Sequence, residues 1–563
     1  QAVKRLWPDA HLGTGPATDD GFFYDIEFSG GLTAEELPRI EEEMRNIINE
    51  DLLIRREVVD RETARAIFAE RDEPLKLEII DGLPAEASIT VYRQGQFVDL
   101  CRGPHIPSTG LIHAYKLLSV AGAYWRGDER NPLLQRLYGT VFPTYDELEH
   151  YLWVQEEARR RDHRRLGPEL DLFSFHDEAP GFVFWHPKGY TLYRQLENFS
   201  RELQEGQGYK EVRTPTLYRS DLWRTSGHWD HFRENMFVMQ RDDEEVGVKP
   251  MNCPGHCLLF KERTRSYREL PLRFSEYEGL ARYERSGTLH GLLHVRGLHQ
   301  DDAHLFVARE QIAEEMQRVL QLVDRIYTTF GLPYRVLFST RPDDFMGEVD
   351  LWNEAEEALR QVLEQAGLVY EVNEGDGAFY GPKLDFMVTD ALGREWQCAT
   401  VQLDFQLPLR FDLRYADVSG EERHPVMIHR AIMGSLERFI GMLVEHFAGD
   451  FPLWLAPVQA RLLPVADRHT VYAEAVRQEM AEVGLRVEVD SRSEKLGQKI
   501  RTAEVEKVPY MLVVGDREVE ERTASVRVRH QQRQASLSVT ELISRLQQQV
   551  QDRQIALTPL EVL

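Results

Sequence analysis

At 563 residues the chain exceeds what one hydrophobic core serves, and roughly three to five domains are expected. Its 42% hydrophobic and 29% charged residues are those of a soluble globular protein, and no apolar run approaches the ~20 residues that a bilayer span requires. The formal charge of −26 argues only weakly against nucleic acid, because phosphate contacts are local and the acidity serves solubility first.

Residues 1–143 mix short strands with helices. The stretch 37–49 is helical by its apolar spacing, with Thr33 and Glu36 as a capping box before it. Segments 88–92 and 96–100 alternate like a hairpin joined at Gln94-Gly95. The stretch 144–165 reads as one connector helix, opened by a Thr144/Glu147 capping box and closed by Arg159, Arg160, Arg161, Arg164 and Arg165. That arginine run is read as a solvated face rather than an RNA contact. Residues 166–453 form the largest unit, strand-rich around 272–306 and 396–413. Between these lies an amphipathic helix with Ile312, Met316, Val319, Leu320, Val323, Ile326, Tyr327 and Phe330 on its core stripe, ended at Gly331. From 454 to 563 strands alternate with helices, which predicts a small α/β domain on a mostly parallel sheet. Four cysteines, Cys101, Cys253, Cys257 and Cys398, make no disulfide framework in so long a chain and point to a reducing cytoplasm. No signal peptide precedes Leu6. The chain begins at Gln1 rather than Met, so a fragment is expected.

The stretch Arg282-Tyr-Glu284-Arg-Ser-Gly-Thr-Leu-His-Gly291, followed by 296–304, sets arginines, a carboxylate, glycines and histidines between two apolar runs. An enzyme that activates a carboxylate with ATP needs such a set: arginine offsets the charge of a departing pyrophosphate, and glycine lets backbone approach the ligand.

Several long strings, in order, carry a family resemblance: Lys249-Pro-Met-Asn-Cys-Pro-Gly-His256, Gly377-Ala-Phe-Tyr-Gly-Pro-Lys383, Gln397-Cys-Ala-Thr-Val-Gln-Leu-Asp-Phe405 and Pro425-Val-Met-Ile-His-Arg430. On these the chain resembles the threonyl-tRNA synthetases, class II aminoacyl-tRNA synthetases, along nearly its whole length. The resemblance implies an α+β multidomain protein. An N-terminal α+β editing-like domain (1–143) is followed by the connector (144–165). A class II catalytic domain on an antiparallel sheet flanked by helices (166–453) and a C-terminal α/β anticodon-binding domain (454–563) complete it. It implies ATP-dependent activation of L-threonine and transfer to tRNA(Thr), in a cytoplasmic homodimer with no membrane partner, the dimer resting on a motif around Pro215.

Residue by residue, the resemblance places Arg282, Glu284, Arg296 and Arg438 at ATP, with Mg2+ accompanying the nucleotide. Asp302, Gln300, Tyr380 and Gln402 surround threonine, and Lys383 lies near the reacting carboxylate. Cys253, His304 and His429 become the ligands of one catalytic zinc per chain, a set whose sequence spacing alone would not single them out. Cys257 and Cys398 are read as ordinary buried thiols. His228 lies where the terminal ribose of tRNA binds, and two readings stay open: a proton relay or a loop-ordering histidine. Lys76, Asp99, Cys101 and His105 correspond to half of an editing site. Its other half, a His-x-x-x-His helix, would precede Gln1, so this polypeptide is expected to hydrolyse seryl-tRNA poorly. Arg501, Glu518 and Arg527 fall on anticodon-contacting positions, with Ser493 where an asparagine is usual. Two rival readings are a non-catalytic RNA-binding regulator and a seryl or prolyl enzyme of the same class. The intact arginine motifs stand against the first and the Cys253/His304/His429 set against the second.

Overall fold

The computed structural model describes residues 1–18, 21–28, 30–531 and 533–558. These divide into two compact units, Gln1–Glu156 and Glu157–Leu563. In the first, Gly21–Glu27, Leu133–Phe142 and Ala114–Tyr124 pair antiparallel, and helix Leu37–Asn49 packs its Leu37, Ile40 and Ile47 on that sheet. A second antiparallel sheet joins Ile54–Val59, Ile89–Gln94 and Phe97–Leu100. Its hairpin turns through Gly95 at φ +60°, a conformation that favours glycine. Both expected capping boxes form: Thr33 N–H donates to Glu36 (3.2 Å), and Glu147 N–H to Thr144 Oγ1 (3.3 Å).

The connector is not one helix. Tyr145–Arg161 stops at Asp162, and a new helix His163–Glu169 begins. The Asp162 carboxylate accepts from the Arg164 backbone N–H at 2.8 Å, so it caps a helix start in the middle of what the charges present as one run.

The second unit is built on one large sheet. Its strands run in the order Lys210–Glu211, Leu272–Glu276, Gly297–Val307, Val426–Ser435, Glu395–Asp404, Lys383–Thr389, Tyr334–Ser339 and Tyr370–Asn373. All these pairs are antiparallel except the two outermost. Side chains alternate across the pleat. Ala303, Leu305 and Val307 face a core shared with helices Pro187–Glu205, Ile312–Phe330 and Leu436–His446, while Phe306 faces a second core with Cys257 and Phe260 of helix Cys253–Lys261. Ile312–Phe330 ends at Gly331 as expected, with φ +67°. Phe330 is fully buried against Phe199, Phe439 and Trp454 at ring distances of 5.8, 5.2 and 5.6 Å. Phe330→Ala is expected to destabilise the unit by about 3–5 kcal/mol in denaturant unfolding, because transfer and cavity costs add.

The C-terminal sheet corrects the expectation of mostly parallel strands. Val487–Val489, Ala460–Pro464 and Tyr510–Val514 are parallel, but Thr523–Val528 and Ala535–Ser538 return antiparallel. Thr523–Val528 and Ala535–Ser538 are too close in sequence for the crossover that parallel pairing would require, and the short helix Asp516–Glu521 before them turns the chain back beside Tyr510–Val514.

Candidate active site

Strand register creates the site. Reading across the large sheet, Phe274 pairs with His304, His304 with His429, His429 with Gln402, and Gln402 with Lys383. Partners in neighbouring strands point to the same face, so residues scattered over more than a hundred positions become one row. Helix Cys253–Lys261 packs over this face through Cys257 and Phe260. Its first residue, Cys253, comes close enough to His304 and His429 that ligating atoms of all three lie within 4.8 Å of one another, each residue buried.

The atoms that would not face a metal are all engaged. His429 Nε2–H donates to Asp404 Oδ2 at 2.9 Å, leaving Nδ1 for the cluster. Asp404 is itself fixed by the backbone N–H groups of Gln406 (2.7 Å) and Leu407 (3.0 Å). His304 Nδ1 lies 2.8 Å from His256 Nδ1, leaving Nε2. Burial pushes the Cys253 thiol well above its ordinary pKa and the His304 imidazole well below its own. One sulfur and two imidazole nitrogens, the two rings oriented by outer partners, fit a zinc site that keeps a fourth position open. A second grouping, Asp162, His163 and Glu445, also lies within 4.8 Å. There, however, His163 Nε2 accepts from Leu292 N–H (3.0 Å) and Nδ1–H donates to Glu445 (2.6 Å), so the imidazole has no lone pair left to ligate. This histidine instead anchors the loop at Gly291–Leu293, where the Cβ of any other residue at position 291 would sit 2.2 Å from its Nε2.

Arg282 follows strand Gly279–Ala281 and is pinned by its Nε–H to the Pro250 carbonyl (3.3 Å). Burial lowers its pKa, with Tyr380, Glu284 and Asp302 among the groups that act on it electrostatically. Glu284 meets His294 at 3.2 Å. Arg296 is held within the same loop, donating to the Glu284 carbonyl (2.8 Å) and to Ser286 Oγ (3.3 Å), with its guanidinium 4.9 Å over the Tyr283 ring. Arg438 sits in the first turn of Leu436–His446, and its buried Nε has no partner among the described residues. An orphaned buried donor of this kind points to a ligand.

Around the row, Asp302 Oδ2 accepts from Asn252 Nδ2–H (2.9 Å), and Tyr380 donates its hydroxyl to Gln402 Oε1 (2.6 Å) while stacking on His429 at 4.8 Å. Gln300 lies on the same strand as Asp302, across a bulge. Lys383 bridges Asp376 (3.1 Å) and Asp385 (3.0 Å). His228 is fully buried, with Nδ1 2.8 Å from Ser226 Oγ and Nε2 3.1 Å from Met251 Sδ. Burial, with the nearby His429 and Arg282 charges, pushes its pKa down to about 3. Cys257 and Cys398 are buried free thiols.

In the first unit Lys76, from helix Pro74–Asp81, pairs with Asp99 at 2.5 Å, and Tyr24 donates to the other Asp99 oxygen at 2.6 Å. Cys101 Sγ accepts from Gly103 N–H at 3.4 Å, and the His105 ring lies tilted against Tyr92, 4.2 Å between centroids. Tyr24 was not legible from sequence, since nothing local marks a strand tyrosine as reaching a carboxylate 75 residues on. His256, Glu276, Lys249 and Asp404 were missed too, although two of them stand in the string 249–256. In the C-terminal region Arg501 lies on helix Leu496–Val505, Glu518 caps the start of Asp516–Glu521 by accepting from Gly515 N–H (2.9 Å), and Arg527 lies 3.5 Å from Glu504, one turn beyond Arg501.

Residues 235–447 match the family described as tRNA synthetase class II core domain (G, H, P, S and T), and residues 459–549 the anticodon binding domain. With the antiparallel sheet and its buried arginines, these define a class II aminoacyl-tRNA synthetase. Residues 89–138 match the second additional domain of threonyl and alanyl tRNA synthetases. A threonine–tRNA ligase of Symbiobacterium thermophilum is 59% identical over 529 residues, 94% of this chain and 81% of that protein. One of Thermotoga maritima is 51% identical over 562 residues, 99% and 87% of the two chains. The chain belongs to the threonine–tRNA ligase family. Among solved structures, the RNA binding domain of the Cryptosporidium parvum threonyl-tRNA synthetase aligns at TM-score 0.68 and 42% identity, covering 69% of this chain and 98% of that one. A putative threonyl-tRNA synthetase of Aeropyrum pernix aligns at 0.60 and 29%, covering 70% and 97%. No helix among the described residues is long and apolar enough to cross a membrane.

Proposed function

We propose that this enzyme activates L-threonine with ATP and transfers it to tRNA(Thr), discriminating against valine through a zinc ion held by Cys253, His304 and His429. The observation that carries the reading is the convergence of those three side chains in the row that also presents Gln402 and Lys383. When bound, zinc supplies a Lewis-acid position able to take an amino group and a hydroxyl together. The Asp302 carboxylate, ordered by Asn252, would accept a hydrogen bond from the threonine amino group, and Tyr380 orients Gln402 beside it. Lys383 draws in the threonine carboxylate, whose oxygen attacks the α-phosphorus of Mg2+-bound ATP and expels pyrophosphate. Arg282 and Arg438 offset the charge that builds on the phosphates, and Glu284 orients the nucleotide. Arg296 acts by holding the loop closed over ATP. A tRNA ribose hydroxyl then attacks the adenylate carbonyl and releases AMP. His228, fully buried with its two ring nitrogens against Ser226 and Met251, serves to order its loop beside the site.

The catalytic region spans 166–453, the connector 144–165 and the anticodon-reading domain 454–563, with Arg501, Glu518 and Arg527 at the bases. The enzyme works in the cytoplasm as a homodimer. The test is pyrophosphate exchange with threonine, valine, serine and proline, alongside metal analysis: threonine-dependent exchange with one zinc per chain is expected. Exchange with proline or serine alone, or none with any amino acid, overturns the reading.

Serine also offers an amino group and a hydroxyl, and the missing methyl is worth only ~1–3 kcal/mol, so a second hydrolytic site is needed. The Lys76, Asp99, Cys101 and His105 cluster in residues 1–143 supplies part of one. Residues 1–156 hold no His-x-x-x-His pair. Deacylation of seryl-tRNA(Thr) by this polypeptide is accordingly expected to be slow, and rapid turnover would refute the assignment.

A further inference from the structure

Behind the row a second line of side chains runs away from the cluster, fully sealed from solvent. Lys249 Nζ donates to Glu276 Oε1 at 2.9 Å and to Thr214 Oγ1 at 3.1 Å. Thr214 N–H donates to the same Glu276 oxygen at 2.7 Å. The other oxygen, Oε2, lies 3.0 Å from His256 Nε2, and His256 Nδ1 lies 2.8 Å from His304 Nδ1. Lys249, His256 and Glu276 are fully buried, and His304 nearly so.

We propose that His256, locked by the Lys249–Glu276 ion pair, is a positioning residue that fixes the tautomer of His304 and so keeps its Nε2 lone pair turned toward the metal position. The inference rests on the metal-centre reading given above and concerns what holds a ligand ready rather than which residues ligate.

Ligation at His304 Nε2 selects one proton arrangement along this line. Two ring nitrogens 2.8 Å apart share a single proton. A carboxylate accepts only, so His256 Nε2 must carry a hydrogen toward Glu276. For His304 to offer its Nε2 lone pair to a metal, the proton between the two rings must sit on His304 Nδ1. His256 Nδ1 is then the acceptor. A neutral His304 with its hydrogen on Nδ1 has its only ring lone pair on Nε2. Reverse the shared proton and His256 Nε2 would present a lone pair to a carboxylate, while His304 could carry its hydrogen on Nε2, where it blocks ligation. His256 is also one helical turn beyond Cys253, so a ligand and the residue that orients another ligand share one rigid segment.

Three proteins decide the matter: wild type, His256→Leu, which removes both hydrogen bonds, and His256→Gln, whose amide offers a donor to Glu276 and an acceptor to His304. Zinc dissociation constants are measured by chelator competition, and visible spectra are recorded after cobalt substitution. His256→Leu is expected to bind zinc ~10–100-fold more weakly with altered cobalt bands, and His256→Gln to recover most of the affinity. Equal affinity and identical spectra in wild type and His256→Leu overturn the inference. A wild type that binds no zinc instead overturns the metal-centre reading beneath it. Should His256→Leu not fold, nitrogen NMR of the metal-free wild type labelled at histidine decides alone. His304 protonated on Nδ1 and His256 on Nε2 is the expected result, and the opposite pattern overturns it.

Discussion

Threonine is expected to outcompete valine in pyrophosphate exchange by ~10⁴–10⁵-fold, and Cys253→Ala is expected to abolish exchange with threonine altogether. Valine has nearly the shape of threonine, so an apolar pocket would separate the two by only ~10²-fold. The larger ratio requires polar groups that go unsatisfied when the hydroxyl is missing, and Asp302, Gln402 and the proposed metal site of Cys253, His304 and His429 would provide them. Cys253 is buried in the same core as Cys257 and Phe260, and alanine removes only its sulfur from that core, so the variant is expected to fold. Metal content and amino-acid-dependent exchange are measured together. A ratio near 10² with zinc present would show that shape, not the hydroxyl, is being read.

Arg282→Ala is expected to lower kcat/KM for threonine-dependent exchange by ~10²–10³-fold, with zinc content unchanged. The arginine is half-buried and pinned by the Pro250 carbonyl before substrate arrives. Its charge therefore needs little reorganisation as negative charge develops on the phosphates, which is where a fixed cation contributes most. Arg282→Lys should not restore the rate, because a flexible ammonium cannot reproduce two parallel hydrogen bonds from a planar fork. The unchanged zinc content separates this loss from that of the Cys253 variant. A full rate in Arg282→Ala would remove this arginine from the reaction and leave Arg438, with its unpartnered Nε, as the principal phosphate contact.

Local chemistry made some of this protein legible from its sequence. The two capping boxes, the 89–100 hairpin and the amphipathic stripe of Ile312–Phe330 each depend on residues a few positions apart. The break at Asp162 was hidden because an aspartate amid arginines reads as an ion pair alone, whereas this carboxylate both pairs with the Arg164 guanidinium and caps the new helix. The antiparallel end of the C-terminal sheet was hidden because strand direction depends on connection geometry more than on residue type. The Cys253, His304 and His429 set came only through family likeness: their proximity is a product of register across two strands and a helix laid over them. Tyr24 and Asp404 stayed out of reach for the same reason, since each acts on a residue that only tertiary folding brings near.

The cross-strand alignment of His304 with His429 makes the centre an all-or-nothing property of pairing. In a pleated strand, a shift by a single position turns every side chain to the opposite surface. An insertion of one residue into Val426–Ser435, upstream of His429, would leave all ligands present in the gene yet send this imidazole into the oily layer beneath the sheet. A change that merely counts wrong is thus expected to disarm the centre as surely as one that removes a donor.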